Sequence, residues 1–178
     1  MKFLIQCLIA GAACGTGLAS AQKAPAKPTA TTTAAPGTDT ATTTMLDLHA
    51  IGANGEKFNP ESLRGKVAIV FYWATTCAVC RNSLPELRLN MNGWRKKPFA
   101  LVTVNVDKNA EDWMAYERIQ NKTQSPPKGL IAVRQDEDKS VPMKLPMTLL
   151  VDAKGKVVAR YEGRLAPEAW DGVADLMP

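Results

Sequence analysis

Residues 67–80 read Val67-Ala-Ile-Val-Phe-Tyr-Trp73, then Ala-Thr-Thr, then Cys77-Ala-Val-Cys80. The first part is a continuous apolar run, which predicts a strand buried on both faces of a sheet. The residues after Cys77 predict a helix, so Cys77 would lie at a helix N-terminus, where free N–H groups and the helix dipole stabilise a thiolate. Two cysteines spaced in this way can attack a disulfide and then resolve the mixed disulfide. The stretch therefore predicts a thiol–disulfide redox centre.

Strands and helices alternate around this stretch. Apolar periodicity and turn residues predict strands at 99–106, 130–133, 147–151 and 156–161, and helices at 78–94, 110–122 and 167–176. Asp152-Ala-Lys-Gly155 predicts a hairpin turn between the last two strands. Residues 46–49 and 55–58 are expected to form a short hairpin before the first core strand. The β-α-β-α-β-β-α order predicts an α/β sandwich around a mixed central sheet.

Side-chain spacing predicts the buried faces of the first two helices. The first face consists of Leu84, Leu87, Met91 and Trp94, and the second of Trp113, Tyr116 and Ile119.

The N-terminus predicts an export signal. Lys2 is followed by an apolar segment, residues 3–18, which is interrupted by small and polar residues and is short for a membrane span. Ala19-Ser-Ala21 fits the small-x-small rule of signal peptidases, so residues 1–21 are predicted to be a signal peptide.

The sequence after the leader divides into a linker and one domain. Residues 22–44 are almost entirely Ala, Thr, Pro and Lys, which predicts a disordered linker, and residues 45–178 have the size of a single domain. Cys7 and Cys14 fall in the leader, so the mature chain keeps one cysteine pair in a periplasmic compartment where disulfides form. Alternatively, Gly11-Ala-Ala-Cys14 resembles a lipoprotein processing site, with Gly where Leu is usual, and a lipidated Cys14 would be an anchor. Membrane contact is expected only if the N-terminus is lipidated or stays uncleaved.

The charge pattern favours no nucleic-acid partner. The formal net charge is +5, and removing the leader, which holds only Lys2, leaves +4. Arg95-Lys-Lys97 is balanced by Asp136-Glu-Asp138, and no cationic stripe is interleaved with aromatic residues. The sequence contains no heptad pattern that would predict an oligomer, so we expect a monomer.

Several motifs together resemble the thioredoxin-like superfamily. Trp73-Ala-Thr-Thr-Cys-Ala-Val-Cys80 is similar to its Trp-Ala-x-Trp-Cys-x-x-Cys signature, most of all to exported thiol–disulfide oxidoreductases of the TlpA/ResA type. Asn59-Pro-Glu-Ser-Leu-Arg-Gly-Lys66 resembles the segment before the first core strand, and Pro85 falls where the family has a helix-kinking proline. Leu145-Pro-Met-Thr-Leu-Leu-Val-Asp152 resembles the cis-proline loop and its following strand. Over roughly 46–178, the resemblance implies a thioredoxin-like three-layer α/β/α sandwich with a mixed central sheet.

The resemblance also implies roles for individual residues. Cys77 would be the exposed attacking thiolate and Cys80 the more buried resolving thiol. Pro146 would follow a cis peptide bond. The backbone of Leu145 would then pair with an extended substrate segment. Trp73 would shield the site, or would simply fill the core.

Three positions depart from the family pattern. Thr76 replaces the aromatic residue that usually precedes the first cysteine. Ser83 stands where many TlpA/ResA-type proteins carry a proton-transferring Glu, and Phe71 where thioredoxin has a buried Asp. No acid is left at these positions to accept a proton from Cys80. Water, or Glu86 if it points inward, could take that role, although a solvated carboxylate is the expectation for Glu86.

The residues between the two cysteines indicate a direction for the reaction. Strongly oxidising relatives have His or another polar group there, which stabilises the thiolate and hence the reduced form. Ala78 and Val79 supply no such group, so the dithiol is expected to be reducing.

Two other classes of cysteine site do not fit. A peroxidase of the peroxiredoxin type would need Pro and Thr or Ser where Val70 and Ala74 stand. A structural zinc site needs four ligands, whereas the mature chain offers two cysteines and only His49. We expect no cofactor.

Two further alternatives stay open. Cys77, Cys80, Met147 and Met143 are soft side chains suited to Cu(I), so the protein could handle copper or maintain the thiols of a metalloprotein. The disulfide could also be inert, in a thioredoxin-like binding domain.

The expected partners are protein substrates with disulfides or thiols. By the resemblance, clients include the thiols of apocytochrome c during cytochrome c maturation, copper-site cysteines of oxidases and misoxidised exported proteins. The electron donor in this family is usually a membrane thiol transporter.

Overall fold

The computed structural model describes residues 44–136, 142 and 144–178. The predicted signal peptide, nearly all of the linker, Cys14 and Met143 lie outside these residues. The elements in chain order are β1 Ala50–Gly52, a 3₁₀ helix Pro60–Leu63, β2 Val67–Trp73, α1 Ala78–Trp94, β3 Phe99–Asn105, α2 Ala110–Thr123, β4 Leu130–Gln135, β5 Met147–Val151, β6 Val157–Glu162 and α3 Ala169–Asp175.

The described strands form one mixed sheet in the order β1-β4-β3-β2-β5-β6. Strands β2, β3 and β4 run parallel, and β1, β5 and β6 add antiparallel pairings. In the parallel register Val67 lies opposite Phe99 and Trp73 opposite Asn105. The carboxyl ends of β2 and β3 therefore meet at one edge of the sheet, and the loops that follow them lie side by side.

Side chains alternate along β2 between two hydrophobic clusters, one on each face of the sheet. On one face, Phe71 and Trp73 pack with buried side chains of all three described helices. On the other face, Val70 and Tyr72 pack with the N-terminal segment, which includes Leu63 of the 3₁₀ helix. This is the predicted α/β fold around a mixed central sheet, and within the described residues the α-helices cover one face and the 3₁₀ helix lies on the other.

Most predicted elements are confirmed within one or two residues at each end. The Asp152–Gly155 turn is also present, because Gly155 donates its N–H to the Asp152 carbonyl at 2.9 Å and has a φ of +80°. One prediction at the start of the domain is wrong. The first strand is β1, not residues 46–49, and it pairs mainly with β4. A small hairpin is present with its first strand displaced to residues 50–52, because Ile51 bridges Lys57 and the N–H groups of Gly52 and Phe58 donate to the carbonyls of Glu56 and Ala50, each at 2.8 Å.

The predicted faces of the first two helices are mostly correct. Leu84, Leu87 and Met91 of α1 are buried. In α2, Trp113 is buried but Ile119 is 61% exposed, so its predicted place in the core is wrong. Glu117 is buried instead. The inward face of α2 is thus rotated towards a charged residue.

Candidate active site at the carboxyl ends of the parallel strands

The two cysteines lie where β2 delivers the chain to α1. Cys77 is the N-cap residue of α1, and its Sγ accepts the backbone N–H of Cys80 at 3.1 Å. The two side chains form a disulfide with their Cα atoms 5.2 Å apart. Cys77 is half-buried, whereas Cys80 is 0% exposed. Solvent therefore reaches the first sulfur more readily than the second.

The loop before Cys77 is held by a carboxylate that the sequence reasoning missed. Both side-chain oxygens of Asp107 accept the backbone N–H of Thr75, at 3.0 and 3.1 Å. Asp107 is buried and follows the end of β3. The available signal was the parallel pairing of two apolar strands, since residues just beyond their carboxyl ends must be neighbours.

Asp107 is itself fixed by two neighbouring side chains. Asn105 donates its Nδ2 proton to Asp107 Oδ2 at 2.8 Å and accepts the Asp107 backbone N–H at 3.0 Å. The guanidinium of Arg134 donates to the Asp107 carbonyl through Nε at 3.2 Å and Nη2 at 3.1 Å. These buried contacts make the loop that precedes Cys77 rigid.

Trp73 lies beneath the dithiol, not at the protein surface. It is 0% exposed and belongs to the same hydrophobic cluster as Cys80. Its ring lies 4.7 Å from that of Tyr116, centroid to centroid. This position fits core filling under the site and leaves Trp73 no surface with which to touch a substrate.

The Leu145–Pro146 peptide bond is cis, as the resemblance implies. Pro146 is buried, and its carbonyl accepts the N–H of Gly163 at 2.8 Å. Leu145 is half-buried and packs against the same cluster as Cys77. The structure therefore brings the predicted proline loop to the hydrophobic cluster that carries the dithiol.

The rim of the dithiol carries small, uncharged side chains. Thr76 and Ala78 are exposed, and Val79 is 49% exposed. The nearest cationic side chain in the sequence is Arg81, whose Nη1 donates to the Thr75 carbonyl. No acidic residue occupies the first turn of α1.

Three side chains bear on whether a group could accept the Cys80 proton: Phe71 and Ser83, which replace acids of the family, and Glu86. Phe71 is buried in the core, and the Ser83 hydroxyl donates to the Val79 carbonyl at 2.9 Å. Glu86 is exposed and forms an ion pair with Arg164, so it does not point inward. None of these three side chains is placed as a proton acceptor for Cys80.

A buried charge pair lies between α1 and α2. Arg88 Nη2 lies 3.8 Å from Glu117 Oε2, and both side chains are about nine-tenths buried. Burial raises the pKa of the Glu117 carboxyl, while the positive charge of Arg88 opposes that shift. The pair is therefore a buried contact between ionisable groups of the two helices.

The other candidate ligands that lie within the described residues are not brought to the dithiol. Met147 packs in the cluster on the opposite face of the sheet from Cys80. His49 is exposed and lies 2.8 Å from Asp47. Across residues 44–136, 142 and 144–178, no three His, Cys, Asp or Glu side chains are grouped to hold a metal ion. No helix in this part of the chain has both the length and the apolar character to cross a membrane.

Comparison with known proteins places the chain in a broad sequence family. Residues 38–172 match the family model described as the AhpC/TSA family. Among curated proteins, no sequence matches the chain.

Solved structures share the whole domain. One is the thioredoxin domain of a thiol-disulfide oxidoreductase from Bacteroides vulgatus, with 22% identity and a TM-score of 0.60, covering 76% of this chain and 96% of that one. MTB dsbF has 26% identity and a TM-score of 0.59, covering 74% and 96%. The exposed lipoprotein thioredoxin Etrx1 of Streptococcus pneumoniae has 20% identity and a TM-score of 0.56, covering 74% and 100%. The fold is thus thioredoxin-like.

Proposed function

The chain belongs to the AhpC/TSA family, and we propose that it is an exported thiol–disulfide oxidoreductase that reduces protein disulfides through Cys77 and Cys80. One observation carries this proposal. A half-buried sulfur at the N-terminus of a long helix is disulfide-bonded to a fully buried sulfur in its first turn. The names of the similar structures, which include a thiol-disulfide oxidoreductase, support the same activity.

The reaction starts from the reduced dithiol. The Cys77 thiolate attacks one sulfur of a substrate disulfide, a mixed disulfide forms, and the other substrate sulfur leaves as a thiolate. The Cys80 thiolate then attacks Cys77 Sγ, which releases the second substrate thiol and forms the Cys77–Cys80 disulfide seen here. Two electrons pass from the dithiol to the substrate, and a membrane thiol donor returns them in a second exchange.

Local structure supplies each step with a physical basis. The N-cap position of Cys77 and the Cys80 N–H stabilise the attacking thiolate. The short separation of the two Cα atoms lets Cys80 reach the mixed disulfide without backbone movement. Glu86 is paired with Arg164 and therefore does not serve as proton acceptor for Cys80.

The rim residues favour reduction over oxidation. Ala78 and Val79 offer no hydrogen bond or charge to the Cys77 thiolate, so the reduced form gains little stabilisation and the dithiol gives up its electrons readily. The residues at 70 and 74, Val70 and Ala74, are buried and lack the hydroxyl of a peroxidase site, which favours a disulfide over a peroxide as substrate.

The test is reduction of insulin disulfides with a dithiol as electron source. Wild type is expected to accelerate precipitation of the insulin B chain, and Cys77→Ser is expected to have no activity. All other residues, including Arg88 and Glu117, are the same in both proteins, so a difference in activity is due to the Cys77 sulfur. A folded wild-type protein that is no faster than Cys77→Ser would leave only an inert disulfide in a binding domain.

Trapping identifies the substrates. Cys80→Ser removes the resolving thiol, so mixed disulfides on Cys77 are expected to accumulate in the exported compartment and to be identified by mass spectrometry. The double variant Cys77→Ser/Cys80→Ser is the control for non-covalent capture. A lack of trapped exported proteins in cells that contain the folded variant would contradict the oxidoreductase proposal.

A further inference from the structure

A groove at the opposite end of the parallel strands concentrates positive charge. It has a volume of about 760 Å³ and lies where the amino ends of β2, β3 and β4 meet. We call it the basic groove, and its cationic side chains are Lys66, Arg95, Lys96, Lys97 and Lys128. No carboxylate is among the described residues that line it.

Within the described residues, no ion pair neutralises this positive charge. The ion pairs between described residues involve other cations, such as Arg64, Arg88 and Arg164. Lys66 Nζ donates to the carbonyl of Ser62 at 3.0 Å, a neutral acceptor. Of the acidic run Asp136-Glu-Asp138, only Asp136 lies within the described residues, and it does not line the groove.

The helix dipoles offset only part of the positive charge of the groove. Both α1 and α2 end at this side of the sheet, and each C-terminus is equivalent to about half a negative charge. Two termini therefore offset roughly one of the five cations. A surplus of positive charge remains beyond what stabilising the helix ends requires.

The floor of the groove is aromatic and apolar. Trp94 is half-buried, and its ring lies 6.0 Å from that of Phe99, centroid to centroid. Met91 and Phe99 are buried beneath it. Cations around an exposed tryptophan edge are typical of proteins that rest on anionic bilayers, where tryptophan sits at the level of the headgroups.

We propose that the basic groove binds the phosphate headgroups of anionic phospholipids at a membrane surface. Strand β2 separates the groove from the dithiol by about 20 Å. A membrane bound at the groove would leave Cys77 facing away from the lipid. A client protein is a poorer occupant, because its disulfide must reach Cys77 at the other end of the sheet.

The test is vesicle cosedimentation of the full chain. Vesicles of phosphatidylcholine with and without phosphatidylglycerol are compared at low and high salt. The apolar residues 3–18 are the same in every variant and contribute equally to binding of both kinds of vesicle. The readout is therefore the difference in binding between vesicles with and without phosphatidylglycerol. Lys96→Gln/Lys97→Gln/Lys128→Gln is expected to weaken anionic binding on the order of 100-fold, from about fivefold per cation.

A charge-matched control is available outside the groove. Three exposed lysines do not line it: Lys57, Lys108 and Lys154. The variant with Gln at all three positions has the same net charge as the groove variant. This control is expected to bind like wild type, and insulin reduction is expected to be unchanged in both triples.

Three results would overturn the proposal. Equal losses in the two triple variants would mean that net charge, not the groove, attracts lipid. Wild-type binding that does not depend on phosphatidylglycerol would remove the headgroup as ligand. Binding of inorganic phosphate or of an acidic protein, without binding to anionic vesicles, would assign the groove to a soluble anion or to a protein partner.

Discussion

The two ends of the parallel strands are built on opposite principles. At the carboxyl ends, polar groups are buried and paired with each other, as Asp107 is with Thr75 and Asn105. At the amino ends, the cations of the basic groove are exposed to solvent and unpaired within the described residues. A buried network fixes atoms in place, so a single substitution there should matter greatly. An exposed charged surface acts through its total charge, so single substitutions there should have small and additive effects.

The largest expected difference compares the same residue type at the two ends. Trp73→Ala, beneath the dithiol, should lower the free energy of unfolding by about 3–5 kcal/mol, because Trp73 is fully buried. Trp94→Ala, in the basic groove, should cost about 1–2 kcal/mol, since part of its ring is already in water. Urea unfolding followed by circular dichroism measures both. Equal losses would break the comparison, since they would show that the groove floor is packed as tightly as the dithiol end.

The next effect tests whether Asp107 positions the cysteine loop. Asp107→Ala leaves the part-buried Thr75 N–H without its acceptor, so we expect a loss of about 1–3 kcal/mol in unfolding free energy. Cys77 should also become less reactive, because its N-cap geometry depends on that loop. The measurements are urea unfolding and the pH profile of Cys77 alkylation by iodoacetamide.

Asp107→Asn is the matched control, because its side-chain oxygen can still accept the Thr75 N–H. It should keep the wild-type alkylation profile even if it is somewhat less stable. An alkylation profile that is wild-type in Asp107→Ala as well would show that Asp107 stabilises the fold without positioning the thiol.

The fold was largely readable from the sequence because long apolar runs and turn residues are local signals. Strand β2 and helix α1 begin and end where the sequence predicts. The misplaced element, β1, is short and owes its position to pairing with β4, a distant partner that local patterns do not reveal. The prediction that Ile119 is buried was wrong for a related reason. The buried face of α2 is set by the neighbouring helix and not by apolar spacing alone.

The candidate site was readable only where a motif exists. The cysteine pair and Pro146 fall in recognisable patterns, and the structure shows a disulfide and a cis bond at these positions. Asp107 was missed because a lone carboxylate after a strand looks like an ordinary turn residue. The basic groove was missed because its cations are separated in the sequence. Its cations come from three separate loops that only the parallel sheet brings together.

A smaller effect concerns the rim of the dithiol. Val79→His places an ionisable group between the cysteines, so the Cys77 thiolate and the reduced form should be stabilised. We expect the dithiol–disulfide equilibrium to shift towards the reduced form by about tenfold, which is about 30 mV for this two-electron couple. Equilibration with glutathione measures it, and Val79→Leu, which adds no polar group, should stay near wild type. An unchanged equilibrium in Val79→His would indicate that the rim does not set the direction of the reaction.

The smallest effect lies between the two ends, at the buried pair of Arg88 and Glu117. Burial raises the folded-state pKa of Glu117, so the folded state holds this proton more tightly than the unfolded chain does. The resulting stabilisation is fully present below the unfolded pKa, near 4.5, and is lost as the pH rises through the folded pKa. Wild type should therefore lose stability relative to Glu117→Gln as the pH rises above this value, in urea titrations at a series of pH values.

Insulin reduction should be unchanged in Glu117→Gln if the dithiol end works independently of the helix layer. A stability difference that does not vary with pH would mean that Glu117 keeps an ordinary pKa in the folded protein, because Arg88 then compensates its burial in full.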